Sequence, residues 1–311
     1  MILVLTIGTF LVVLTLFTAY VCFRIAFYVT KAQRMIFSEQ PTPVGKVYKP
    51  WHDTMISWMN ETRSLPCREY TITSHDGLTL YGKYYEYAPG APIELMIHGY
   101  RGNAERDLCG GVQRCFALGH NAFVIDQRGS GKSQGNVITF GIREHQDCLN
   151  WVDFLINTFG ADIKIVLTGI SMGASTVLMA AGKPLPKNVI GVLADCGFTN
   201  AKEIIKIVIR KLKLPPNLAY PFVKLGAFIY GGFRLETDSA WSAMTRCTVP
   251  VIFYHGEADD FVPCYMSQQN YDACSSKKQL VTIPDAGHGL CYLVAPEIYL
   301  STLAEFFAEE T

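Results

Sequence analysis

A serine framed by glycines stands in the stretch "GISMGA", where Gly169 and Gly173 lie two positions either side of Ser171. The G-x-S-x-G pattern alone occurs too often by chance to identify a catalytic serine. Here an apolar, strand-like run precedes it and a run of small and apolar residues typical of a helix follows it. A sharp strand–turn–helix connection lifts the hydroxyl above a sheet and leaves no room for side chains at the flanking positions. Ser171 is therefore the predicted nucleophile.

A serine hydroxyl needs a base to remove its proton. Of the seven histidines, His288 is the predicted base, because it follows the last predicted strand and the chain order Ser…Asp…His requires a histidine there. His98 ends an earlier strand, and His255 lies inside "IFYHGEAD", where we expect a structural role. The other histidines fall away from the predicted strand ends: His52, His75, His120 and His145.

The third catalytic group should be a carboxylate that orients the imidazole and stabilises its charged form. Asp259 follows the predicted strand "PVIFYHGEAD" and is the first choice. Asp195 is the alternative, because it ends the preceding predicted strand. Asp285 is nearer to His288 in sequence, but a role in its own turn explains it more simply.

Backbone amides should stabilise the negative oxygen that forms when a serine attacks a carbonyl. The amide of Met172 lies at the start of the predicted helix after Ser171, where amides point outward. The second donor is predicted to be the amide of Tyr100 in "HGYRGN", since Gly99 lets the backbone approach the serine. Together these two amides form the predicted oxyanion hole.

The stretch "DQRGSGKSQG" resembles a phosphate-binding loop at first sight. That loop requires a glycine five residues before Gly131, and the residue there is Asp126, so the match fails. We interpret the stretch as a structural loop in which Asp126 and Arg128 hold a turn.

The pattern of apolar runs predicts how these residues are positioned. "REYTITSHDGLTLYGKYYEY" alternates about a turn and predicts a β-hairpin. From about residue 92, six short apolar runs alternate with helix-like segments, which predicts a mostly parallel sheet with helices on both faces. In such sheets polar groups gather beyond the carboxyl ends of the strands. The insertion at about residues 197–246 is predicted to form a helical lid; a plain crossover with extra helix is the alternative.

The N-terminus differs from the rest of the chain. From Ile2 to Phe23 it carries no charge, and a helix of about 33 Å would span a bilayer. A cleaved signal peptide would have basic residues before a shorter apolar core, so a single-pass membrane anchor is the favoured interpretation. Basic residues follow the run at Arg24, Lys31 and Arg34, and the positive-inside rule then predicts a cytoplasmic domain.

Composition sets wider limits. The chain has 311 residues, half of them apolar, with 27 basic and 27 acidic side chains. No basic run with interleaved aromatic residues suggests a nucleic-acid partner. Its ten cysteines include no C-x-x-C pair, so a zinc site formed by cysteines is not expected. We expect instead that the thiols are reduced and mostly buried.

Five motifs in order, "HGYRGN", "DQRGSGKS", "GISMGA", "HGEADDFVP" and "DAGHG", make the sequence resemble the α/β-hydrolase superfamily, in particular its bacterial esterase/lipase and serine-aminopeptidase-like branch. The resemblance implies a Ser171–Asp259–His288 triad, an acyl-enzyme intermediate, and neither a metal nor an organic cofactor. The expected organisation is a transmembrane anchor (1–29), a linker with an amphipathic segment (30–67), and an α/β-hydrolase domain (68–309).

Three functions remain in competition. The favoured one is a membrane-anchored serine hydrolase that cleaves carboxylic esters or thioesters of a small-molecule or lipid-like acyl substrate. A serine peptidase would use the same triad, although no acidic cluster in the insertion indicates a site for an amino terminus. A non-catalytic binding protein of the same fold is the third. The oligomeric state does not follow from the sequence.

Overall fold

An eight-stranded sheet forms the centre of the domain in the computed structural model, which describes residues 1–39, 42–43 and 45–308. Its strands, in the spatial order β1-β2-β4-β3-β5-β6-β7-β8, are β1 Arg68–Thr73, β2 Thr79–Tyr85, β3 Ile93–Ile97, β4 Asn121–Asp126, β5 Ile165–Ile170, β6 Val189–Asp195, β7 Val251–Gly256 and β8 Lys278–Ile283.

The predicted hairpin and parallel sheet are both confirmed. β1 and β2 pair antiparallel across the turn after Thr73, and β2 pairs antiparallel with β4. The remaining neighbouring strands all pair parallel, namely β4 with β3, β3 with β5, β5 with β6, β6 with β7 and β7 with β8. All six predicted apolar runs therefore become strands whose carboxyl ends meet at one edge.

Helices cover both faces of the sheet. They are α1 Ile2–Ala26, α2 Lys31–Glu39, α3 His52–Ser64, α4 Ala104–Asp107, α5 Cys109–Ala117, α6 Glu144–Phe159, α7 Met172–Ala181, α8 Ala201–Lys211, α9 Pro216–Ile229, α10 Ala240–Met244, α11 Tyr265–Ala273, α12 Cys291–Val294 and α13 Pro296–Phe307, with a 3₁₀ helix at Lys46–Trp51. Neighbouring strand residues point to opposite faces. Leu95 thus packs in the cluster that holds α6 and α7, whereas Met96 packs against α5.

The insertion between β6 and β7 contains α8, α9 and α10. Ile204 of α8 and Val223 of α9 share one apolar cluster with Met172, the residue after the predicted nucleophile. α8 and α9 therefore lie over the carboxyl-end edge of the sheet, where the lid is predicted, whereas Ala240 and Met244 of α10 pack in the cluster with α7.

The last turns of α1 are part of this same cluster. Ala19 and Phe23 are buried, and Phe27 after the helix packs edge-on against Phe233. Backbone pairing continues beyond the helix, since the Ile138 amide donates to the Phe27 carbonyl at 2.8 Å. The end of α1 is thereby fixed to the domain.

The predicted linker, residues 30–67, carries more structure than the term suggests. It contains α2, the 3₁₀ helix and α3, and α3 buries Met55 and Met59 against the domain. Gln113 of α5 donates a hydrogen bond to the Trp58 carbonyl at 3.1 Å. Residue 309, the predicted end of the domain, lies outside the described residues.

The loop that resembles a phosphate-binding loop is structural, as predicted. Asp126 accepts hydrogen bonds from the amides of Ala104 and Lys132, at 3.0 and 2.9 Å. Arg128 forms ion pairs with both Asp76 and Asp147, and so ties the β1–β2 turn to α6.

Glu94 carries a fully buried carboxylate on the central strand β3. Arg114 pairs with it directly, His120 lies 3.0 Å away and the Thr168 hydroxyl donates at 2.9 Å. Burial alone would raise the pKa of Glu94, but the charge of Arg114 and the contacts with His120 and Thr168 lower it to about 2. The carboxylate thus neutralises a guanidinium inside the core.

We expect the Glu94→Ala substitution to lower the free energy of unfolding by about 3–5 kcal/mol, because it leaves Arg114 buried and uncompensated. Urea denaturation measures this. Glu86→Ala, which removes the exposed partner of Arg68, should lower the free energy of unfolding by less than about 1 kcal/mol.

The stabilisation by Glu94 should also depend on pH. Since the pKa of Glu94 falls on folding from 4.5 to about 2, this stabilisation is complete above pH 4.5 and is lost as the pH falls towards 2. A difference from wild type that did not narrow over this range would contradict the assignment.

Candidate active site

Ser171 lies in a strained turn between β5 and α7, with φ of 56°. This conformation is unfavourable for any residue with a Cβ atom and persists only where surrounding structure enforces it. A Cβ at Gly169 would overlap the Gly173 carbonyl, and a Cβ at Gly173 would overlap the Ile97 carbonyl of β3. The two glycines thus allow the backbone crossing that exposes the serine, as expected from the sequence.

The structure brings the three predicted catalytic side chains together. His288 Nε2 lies 2.9 Å from Ser171 Oγ, and His288 Nδ1 lies 2.6 Å from Asp259 Oδ2. Both distances are within hydrogen-bonding range. With the Nδ1 proton held by the carboxylate, Nε2 is the nitrogen free to accept the serine proton.

Asp259 is held by donors on both of its oxygens. Oδ1 accepts from the amides of Phe261 and Val262, at 2.8 and 2.9 Å. His255 Nε2 approaches Oδ2 at 3.3 Å, beside His288. Burial raises the pKa of this carboxyl, but hydrogen bonds from the two histidines outweigh it and hold the pKa well below its usual range. Asp259 is therefore a charged carboxylate of fixed orientation.

The alternatives to these residues are bonded elsewhere. Asp195 Oδ2 accepts from the Tyr299 hydroxyl at 3.1 Å, and burial raises the pKa of Asp195. Asp285 is exposed in a turn, at φ of 60°. His98 is buried between the Gly99 carbonyl and the Gln127 amide, and burial lowers its pKa.

The predicted oxyanion-hole residues lie on either side of Ser171. Met172 is the first residue of α7, and Tyr100 lines the cavity in front of the serine. Between them, an added Cβ at Gly99 would come within 3.5 Å of the Ser171 Cβ. The loop after β3 therefore lies close to Ser171, and the role of the two amides stays a prediction. The Tyr100 side chain points away and donates to the Ala26 carbonyl at 2.8 Å.

A cavity of about 570 Å³ opens onto the serine and the histidine. Its lining includes Pro43, Val47, Tyr48, Tyr100, Arg101, Ile170, Ser171, Phe261 and His288. One wall comes from the 3₁₀ helix, where the Tyr48 hydroxyl donates to the His288 carbonyl at 3.0 Å. The segment predicted as a linker thus borders the site and holds the backbone of the candidate base.

Sequence reasoning missed several residues that shape this site. Tyr48 falls in the predicted linker, His255 is predicted to have a structural role, and Arg101 is not among the predicted site residues. The motif "HGEAD" placed His255 four residues before Asp259, which was the one available signal. Tyr48 had none, since it reaches His288 over a separation of 240 residues.

In the described part of the chain, two clusters of side chains could each hold a metal ion, because the possible ligand atoms within each cluster lie within 4.8 Å of one another. The first consists of Cys196, Asp259 and His288, and the second of His75, Asp76 and Asp147. In the first, Asp259 and His288 bond to each other, and burial raises the pKa of the Cys196 thiol well above its usual value. In the second, Arg128 pairs with both carboxylates. Neither group is assigned a metal.

Comparison with known proteins agrees with the observed fold. The family model described as alpha/beta hydrolase fold matches residues 95–245. The esterase Pf2001 of Pyrococcus furiosus superposes with a TM-score of 0.67 at 23% identity, over 87% of this chain and 97% of that one. The chain has the α/β-hydrolase fold.

Further similarities are found both in structure and in sequence. Est1E from Butyrivibrio proteoclasticus, solved with ferulic acid bound, superposes with a TM-score of 0.61 at 22% identity, covering 78% of this chain and 98% of that one. YqkD of Bacillus subtilis, an uncharacterised protein, is 28% identical over 190 residues, which are 61% of this chain but only 62% of YqkD. Protein bem46 of Schizosaccharomyces pombe is 27% identical, over 70% of this chain and 68% of its own. These likenesses establish the fold.

The strain at Ser171 leads to a stability prediction. Ser171→Gly should unfold at higher urea than Ser171→Ala, with a difference of about 1 kcal/mol, because only glycine adopts this positive φ without steric conflict. Both variants lack the hydroxyl, so they form a matched pair. Equal midpoints, or a more stable alanine variant, would show that the turn is not strained.

Proposed function

We propose that this protein is a membrane-anchored serine hydrolase that cleaves carboxylic esters or thioesters through an acyl-enzyme intermediate. The observation that carries the proposal is the hydrogen-bonded chain from Ser171 Oγ through His288 to Asp259, with spacings of 2.9 and 2.6 Å. The esterase neighbours are consistent with it. The fold by itself hosts many activities, so the site is the stronger support.

In the proposed reaction, Ser171 Oγ attacks the substrate carbonyl carbon while His288 Nε2 takes the hydroxyl proton. The amides of Met172 and Tyr100 then donate to the oxyanion of the tetrahedral intermediate, where one such donor lowers the barrier by about 2.7–4 kcal/mol. When the bond to the leaving group breaks, His288 returns the proton to that group. Ser171 is left acylated.

Water completes the cycle. His288 removes a proton from a water molecule, which attacks the acyl carbon, and the same imidazole then reprotonates Ser171 as the acid departs. Asp259 stabilises the imidazolium in both halves, since its depressed pKa keeps it charged. Every step uses the chain's own groups, so the proposed mechanism requires neither metal nor cofactor.

A serine peptidase is the second candidate. Asp260 lines the cavity beside Ser171 and His288, and a carboxylate in this position could bind the amino terminus of a peptide. We favour ester cleavage because the remaining wall near the serine includes Val47, Ile170 and Phe261, which suit an acyl chain.

A fluorophosphonate probe tests the proposed nucleophile. We expect the full-length protein to be labelled and Ser171→Ala to remain unlabelled, because the probe reacts only with an activated serine. Asp259→Asn should slow p-nitrophenyl ester hydrolysis by roughly 10⁴-fold while leaving the fold intact. A matched control, Asp260→Asn, should keep ester turnover.

Wild-type labelling no stronger than that of Ser171→Ala would overturn the hydrolase assignment and favour a non-catalytic binding protein. Turnover confined to aminoacyl anilides, with none of the p-nitrophenyl esters cleaved, would instead favour the peptidase, especially if Asp260→Asn abolished it.

The membrane part of the proposal rests on α1. This helix is long and apolar enough to cross a bilayer, and its exposed N-terminal turns would lie in lipid. A cleaved signal sequence is the alternative. Packing of Ala19 and Phe23 in the domain favours a retained anchor, because cleavage after the apolar run would remove part of an apolar cluster.

Arg24 in the last turn of α1, with Lys31 and Arg34 after it, favours a cytoplasmic domain. Protease added to sealed right-side-out vesicles should therefore leave the domain intact, and detergent should make it accessible. Immunoblotting with an antibody to the C-terminus measures both states. Digestion without detergent would reverse the proposed orientation.

A further inference from the structure

The end of α9 lies alongside the apolar part of α1. A Cβ at Gly226 would overlap the Ala19 carbonyl, so the two backbones are in close contact there. One turn later the Tyr230 hydroxyl donates to the Leu16 carbonyl at 3.1 Å, and the rings of Tyr230 and Tyr20 lie 5.3 Å apart. The insertion therefore extends along α1 towards its N-terminus.

Arg24 shows how deep this contact lies. It is the first charged residue after the apolar run, and its guanidinium turns back to donate to the Tyr20 hydroxyl at 2.8 Å. Arginine and tyrosine at the end of a span mark the membrane–water interface. Leu16 is eight residues before Arg24, about 12 Å deeper along a helix. If α1 spans a bilayer, the end of α9 must enter the membrane beside it.

The side chains at this end of α9 suit such an environment. Residues 228–230, which we call the α9 tip, consist of Phe228, Ile229 and Tyr230. Phe228 and Ile229 are 54% and 45% exposed. Arg234 lies over the Phe228 ring, 5.7 Å from its centroid, where its charge can meet anionic lipid headgroups. The tip is thus an apolar surface with one arginine at its edge, continuous with the exposed part of α1.

The catalytic cavity lies next to the same helix end. Tyr100 and Arg101, which line the cavity, both bind the last turn of α1. The Tyr100 hydroxyl donates to the Ala26 carbonyl at 2.8 Å, and Arg101 donates to the Ile25 carbonyl at 2.7 Å. One wall of the cavity is therefore built on the point where α1 would leave the bilayer.

We propose that the α9 tip inserts into the leaflet that α1 crosses last, and that this second contact sets the cavity at the membrane surface to take long-chain acyl esters from the bilayer. The inference rests on the proposed function and adds its substrate class. A bilayer, rather than a protein partner, covers the α9 tip because the tip continues the exposed apolar surface of α1 at the depth of Leu16.

Paired substrates separate docking from catalysis. The full-length protein is reconstituted in phosphatidylcholine–phosphatidylglycerol vesicles and given either a water-soluble acetyl ester or a long-chain ester dissolved in the bilayer. The variant Phe228→Glu with Ile229→Glu should keep its rate on the soluble ester and lose about tenfold on the bilayer ester, because charge at the tip opposes insertion. Leu212→Glu with Leu214→Glu is the matched control. These leucines are 61% and 52% exposed at the α8–α9 turn, and we expect no change on either substrate.

Equal rates for wild type and the tip variant on the bilayer ester would overturn the proposal. A similar loss on both esters, or the same bilayer-specific loss in the control, would overturn it as well.

A crosslinking measurement is independent of activity. A benzophenone amino acid replacing Phe228 should form covalent adducts with lipid acyl chains on irradiation, whereas the same group replacing Leu214 should not. Equal adduct yields at the two positions would contradict insertion of the tip. Adducts at 228 in a protein that fluorophosphonate fails to label would support docking and reject the hydrolase, so the two failures are distinguishable.

Discussion

The close crossing of α7 over β3 is the constraint on which the site depends. Because Gly173 has no Cβ, the first turn of α7 can approach the Ile97 carbonyl of β3. Because Gly169 of β5 has none, the Gly173 carbonyl in the same turn can lie against β5. Any larger residue at either position would push α7 away and tilt the serine. The turn strains Ser171 itself, at φ of 56°. It places the Ser171 side chain above the sheet edge with a helix N-terminus directly behind it.

The sheet order explains why two long loops complete the site. Ser171 follows β5, and β6 separates β5 from β7 in the sheet. β8 lies one strand further out. Asp259 and His288 must therefore reach back across the carboxyl-end edge. The loop after β7 is rigid enough to do so because Asp259 accepts both the Phe261 and Val262 amides. The loop after β8 is held by the Tyr48 hydroxyl.

Local patterns were enough to predict the parts of the molecule that local chemistry determines. The buried strands, the hairpin and the order of the polar residues at strand ends all follow from periodicity and from glycine positions. The contacts of Tyr48 and His255 could not be predicted in this way, because each depends on where a side chain arrives after the whole domain has packed. The segment 30–67 is predicted as a linker with an amphipathic segment for the same reason: the docking of α3 on α5 relies on a few contacts, such as the packing of Trp58 against Gly110 and its hydrogen bond from Gln113.

α1 illustrates a more general limit. A helix with one apolar face shows which side it buries, but α1 is apolar all round, so its sequence is that of a simple anchor. The structure divides α1 into two parts: the N-terminal turns are exposed, whereas Ala19 is buried and Phe23 belongs to the cluster beneath the insertion. Its last carbonyls are bound by Tyr100 and Arg101 from the loop beside the serine. A helix end needs partners for these carbonyls, and here the partners come from the loop beside Ser171, so the stability of the end of α1 and the position of that loop are coupled.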